Sequence, residues 1–87
     1  MNKIRLQFEL PEDKVEELDK IMEKCSIETR KELFNNALTL FEWAVEEVSS
    51  GNVIASVDEE KERYRVLQMP VLNQAKKRVS RGYVVNG

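Results

Sequence analysis

The chain has 87 residues, a formal net charge of −2, 34% charged residues, one cysteine and no histidine. A chain this short is one small domain with a limited core, and it usually needs a disulfide, a metal or a partner subunit. Cys25 alone excludes an intrachain disulfide, and a Cys/His zinc site cannot be assembled within one chain, so a partner subunit is the remaining device and no cofactor is expected.

The charge is unevenly placed. Residues 1–8 carry two bases and no acid, residues 9–62 carry 16 acids against six bases, and residues 63–87 carry six bases without an acid. The acidic middle speaks against indiscriminate nucleic-acid binding, while the two basic ends can form a local positive surface. No apolar run reaches the ~20 residues that span a bilayer, and the N-terminus lacks a signal-peptide h-region, so a cytoplasmic protein is expected.

The first element is the stretch KIRLQFEL. Ile4, Leu6, Phe8 and Leu10 alternate with Lys3, Arg5, Gln7 and Glu9, the period of a half-buried β-strand. No second strand follows within the next forty residues. Pro11 suits a helix's first turn, and Glu12 and Asp13 complement its dipole. Val15, Leu18, Ile21, Met22 and Cys25 recur at three- and four-residue steps, which predicts a first helix over 12–25 with one apolar stripe. Cys25 continues that stripe and is expected to be buried and structural.

Thr29 followed by Glu32 forms a capping box, so a second helix starts near Arg30. Leu33, Phe34, Ala37, Leu38, Phe41, Ala44, Val45 and Val48 give it a broad apolar face, and Gly51 is placed to stop it. Trp43 lies off that face and is expected to cover the C-terminal segment. Beyond it, NVIASV and RYRVLQM flank a polar DEEKE, which predicts a β-hairpin over about 53–57 and 63–69. A helix starting after Asp58 is the competing reading. VLNQAKK is compatible with a short turn of helix, and the remainder reads as a basic tail. The organisation expected is a unit over 1–50, an extension over 51–72 and a flexible basic tail over 73–87.

An enzyme is not expected. The chain has no nucleophile–histidine pair, no glycine-rich phosphate loop and only three glycines, and its carboxylates follow helix-surface spacing. A lone strand must find a partner, and the simplest one is the same strand of a second copy, paired antiparallel about a two-fold axis. Ile4, Leu6, Phe8 and Leu10 would then face the helices of the dimer and form its core with Phe34, Leu38 and Phe41. Lys3, Arg5, Gln7 and Glu9 would face outward.

Over about residues 3–49 the chain resembles the ribbon-helix-helix family of small dimeric DNA-binding proteins. The resemblance is carried by the alternating strand closed by LPED, by the first helix and by TRKELFNNAL. It implies a mainly α fold with short β, an intertwined homodimer whose two-stranded ribbon enters the major groove. Base contacts would come from Arg5 and Gln7, with Lys3 at the margin, since Arg bonds a guanine edge and Gln an adenine edge bidentately. Phosphate contacts would come from Thr29, Arg30 and Lys31 at the second helix's N-terminus. The chain departs from the family pattern at the outward Glu9 and at CSIE, where the turn between helices commonly holds a glycine.

The function implied is a sequence-specific double-stranded DNA-binding repressor, possible assembly beyond the dimer included. A different class of reading stays open. The ribbon-helix-helix part would serve to dimerise, and residues 52–72 would bind a protein such as a toxin, because Val53, Ile54, Val57, Tyr64, Val66, Leu67 and Met69 put much apolar surface on a short piece. The bland alternative is that this extension folds back on its own dimer.

Overall fold

The computed structural model describes residues 2–76. It is a small mixed α/β protein: helix α1 spans Glu12–Cys25, α2 spans Arg30–Ser49, β1 spans Ala55–Asp58, β2 spans Arg63–Val66, and residues 70–76 are helical (α3). The chain divides into two units between Asn36 and Ala37.

In the first unit, residues 2–10 form neither helix nor sheet within the chain. A strand exists only by hydrogen bonding to a neighbour, and the described residues offer this segment none. Pro11 stands just ahead of α1 rather than inside it, and its carbonyl accepts from the N–H groups of Lys14 and Val15 at 3.0 and 3.1 Å. The helix ends as the 12–25 periodicity predicts. Ser26 then takes the left-handed conformation, φ 56°, its N–H bonding Glu23 O while Ile27 N–H bonds Met22 O at 2.8 Å. That pair of bonds is a Schellman motif, which usually places glycine where Ser26 stands. Three residues on, Thr29 Oγ1 accepts from Glu32 N–H at 3.1 Å and opens α2. The apolar stripe of α1 is nowhere buried, and Cys25, expected inside, is exposed, because nothing among the described residues covers that end of the stripe.

In the second unit, α2 closes with the same motif. Gly51 N–H bonds Val48 O and Asn52 N–H bonds Glu47 O, with Gly51 at φ 88°. The chain then enters an antiparallel hairpin in which Ala55 faces Val66, Ser56 faces Arg65, Val57 faces Tyr64 and Asp58 faces Arg63. The strands are shorter than the sequence predicts, since pairing stops soon after Leu67 N–H bonds Ile54 O at 2.7 Å. The competing helix after Asp58 does not form. Asp58 instead caps a turn, its Oδ1 accepting from Lys61 N–H, and Glu62 at φ 53° closes the loop. Leu72 in α3 packs with Ala44 and Val48 of α2, and Val45 and Ile54 flank them. These three are the buried apolar residues among those described. The basic tail expected from residue 73 begins as the end of α3, and its residues 77–87 lie outside the described range.

No described helix is long and apolar enough to cross a membrane.

Candidate nucleic-acid interface and its apolar underside

The alternating segment is bare on both sides. Lys3, Arg5 and Gln7 are exposed and, among the described residues, make no ion pair or side-chain hydrogen bond. Their apolar neighbours are no better covered: Ile4 is 84% exposed, Phe8 71%, Leu6 67% and Leu10 50%. Phe34, Leu38 and Phe41, expected in the same dimer core, are 46%, 43% and 37% exposed. Two of these aromatic residues meet within a single chain. The rings of Phe8 and Phe34 stand 6.2 Å apart and tilted by 34°, which joins the N-terminal segment to the start of α2.

At the α2 N-terminus, the three residues expected at phosphates have different surroundings. The Thr29 hydroxyl is occupied in capping. Arg30 reaches back to Asp19 of α1, Nη2 to Oδ1 at 3.3 Å, with side chains 64% and 56% exposed. An ion pair this open to water is weak and salt-screened, so an incoming phosphate competes with it readily. Lys31 is exposed and, among the described residues, has no acidic partner. The backbone N–H groups of the first helical turn add the positive end of the helix dipole.

Sequence reasoning missed the Asp19–Arg30 pair. The two residues are eleven apart in sequence, on either side of a turn in which Ser26 is left-handed, and no helical spacing relates them. It also missed Leu72, 4% exposed and the best buried apolar side chain described. The available signal was Leu72 and Ala75 at helical spacing just after Pro70. Trp43, expected to cover the C-terminal segment, remains 49% exposed.

Comparison of the chain with family models, with curated proteins and with solved structures gives no match.

Proposed function

We propose that this chain works as an intertwined homodimer of ribbon-helix-helix type that binds double-stranded DNA sequence-specifically and represses transcription by occupying an operator. The observation that carries this reading is the alternating segment whose two sides are both open in the single chain. Its apolar side, with Phe34, Leu38 and Phe41, is too large to leave in water. A folded chain of 10.2 kDa is expected to expose about 5,300 Å², whereas this one exposes 8656 Å². Even if the residues outside 2–76 contributed their full unfolded-chain share of about 2,000 Å², an excess of about 1,400 Å² remains, the order of one partner's share of an obligate interface.

Pairing the segment with its copy covers the apolar side and turns Lys3, Arg5 and Gln7 outward from both chains. Arg5 and Gln7 then read base edges, while Arg30, Lys31 and the first-turn amides of α2 take phosphates.

The test is fluorescence anisotropy of a labelled duplex from upstream of the protein's own gene, of its shuffled counterpart and of a randomised pool, across a salt series. Preference for the native duplex, or selection of a sequence from the pool, that Arg5→Ala and Gln7→Ala reduce without loss of dimer is the expected outcome. Absence of binding to the native duplex and to the pool alike would defeat the reading.

A second reading keeps one specific observation. Ile54 and Leu72 anchor the C-terminal extension on α2, yet Val53, Val57 and Tyr64 remain 66%, 70% and 71% exposed. An antitoxin-like protein, binding a toxin or other protein through residues 52–72, would use that surface. A pull-down that loses its partner on Tyr64→Ala, with DNA affinity unchanged, is the outcome that distinguishes it.

A further inference from the structure

The two edges of the hairpin differ in kind. The β2 edge carries Arg63 and Arg65, and Pro70 follows it closely. The β1 edge and its lead-in, residues 52–57, contain no charge, no proline and no glycine. Sheet edges kept from pairing bear charges, prolines or bulges. The β1 edge has none of these before Asp58.

Backbone register shows which groups it offers. Ile54 O accepts from Leu67 N–H, so Ile54 faces β2, and by alternation Ser56 and Asp58 do as well. The N–H and C=O groups of Val53, Ala55 and Val57 therefore turn toward the open edge. The side chains of Val53, Ala55 and Val57 lie on one face of the sheet with Tyr64 and Val66. A two-stranded hairpin is marginal on its own, and this one has no further strand beside it among the described residues.

We propose that the open edge of β1 pairs antiparallel with β1 of a second copy, about a two-fold axis at Ala55, to make a four-stranded sheet. Charge pattern selects this partner and this edge. In that register Ala55 meets itself, Val53 of one copy meets Val57 of the other, Ile54 meets Ser56, and Asn52 meets Asp58. No like charges oppose. The corresponding β2 contact centred on Tyr64 sets Arg63 against Arg65, and one centred on Arg65 sets that residue against itself; both are unfavourable. A two-fold contact also lets one uncharged edge serve both copies. This contact is separate from the N-terminal pairing of the proposed function, and the two together link dimers into assemblies of four or more chains.

The experiment is sedimentation velocity on the full chain over a concentration series, for wild type, Val53→Lys, Leu6→Asp and the double variant. Wild type is expected to exceed two chains. Val53→Lys halves the number of chains, Leu6→Asp leaves two chains joined through β1, and the double variant is a monomer. An unchanged assembly in Val53→Lys overturns the β1 contact. A loss in Val53→Lys with none in Leu6→Asp keeps the β1 contact and defeats the N-terminal pairing instead.

A positive readout guards against misfolded variants. In a Cys25→Ser background, Ala55→Cys is expected to form an intermolecular disulfide on oxidation, since directly bonded strand neighbours have Cα atoms about 5.5 Å apart, within disulfide reach. Tyr64→Cys is expected to form none. No bridge at Ala55→Cys, an equal yield at Tyr64→Cys, or bridging only to a different protein overturns the proposal.

Discussion

The two units of this chain both carry large apolar residues and end differently. In the second, the C-terminal half of α2, the base of the hairpin and α3 close over Ala44, Val48 and Leu72. The first unit buries none of its described residues, although Ile4, Leu6, Phe8, Leu10 and Phe34 are all there to be buried. The difference is one of return. After α2 the chain turns back through Gly51 and brings Ile54 and Leu72 onto the helix that precedes them. Ahead of α1 no described element folds back over the N-terminal segment, and its apolar residues stay exposed. One unit has a minimal core, and the other has an open apolar side that the proposed dimer would cover.

The contrast is broken most severely at the N-terminal segment. Phe8→Asp places a carboxylate where the proposed interface is most apolar, and an unpaired charge there costs several kcal/mol. The expected outcome is a chain that no longer dimerises through this segment and loses much of its helical circular dichroism. Glu9→Gln, one residue away on the opposite side of the alternation, is expected to leave assembly intact. If both behave alike, the alternation has no buried side.

The second unit answers to a different substitution. Leu72→Ala removes the best-covered side chain and is expected to destabilise the chain by about 2–4 kcal/mol in urea unfolding, since large-to-small changes add a cavity to the lost transfer energy. Val57→Ala, by contrast, acts on a side chain that is 70% exposed and is expected to cost well under about 1 kcal/mol. Equal effects would mean that the hairpin's outer part is as well covered as its base.

Function is expected to separate from stability at the readers. Arg5→Ala should weaken binding to a preferred duplex by about 1–3 kcal/mol and relax its specificity, with no change in the unfolding midpoint. Lys31→Ala should weaken binding to all duplexes alike and flatten the salt dependence by about one counterion. Anisotropy titrations at several salt concentrations measure both.

Much of this was legible in the residues. The 3.6-residue stripe set α1 at 12–25, Thr29 and Glu32 marked the start of α2, and two β-branched runs around DEEKE gave the hairpin. Each of those signals is local, which is why each could be read. The strand period over 3–10 is just as clear, but a strand's partner is not local, and the segment finds none among the described residues. Leu72 was hard to read for a related reason: its burial depends on where a turn and a hairpin deliver it. The candidate DNA-facing residues fall between these cases. The alternation puts Lys3, Arg5 and Gln7 on one side of the segment, but the Asp19 partner of Arg30 is not local in sequence.

That backbone offers the finest comparison of the two units. Both long helices end in a Schellman motif, one with Ser26 at φ 56° and the other with Gly51 at φ 88°. A left-handed conformation costs an L-residue about 1–2 kcal/mol and costs glycine almost nothing, less the extra freedom glycine has when unfolded. Ser26→Gly is therefore expected to stabilise the chain by roughly 0.5–1 kcal/mol. A Cβ at Gly51 meets nothing within 4 Å, so Gly51→Ala isolates the same conformational term with the opposite sign. The two shifts should be similar in size and should add in the double variant, because each acts on the backbone of its own helix end. If Ser26→Gly instead destabilises, the serine side chain contributes something at that turn that its backbone geometry does not show. The Asp19–Arg30 approach, which depends on that turn, would be the first place to look, by measuring the salt dependence of the stability change.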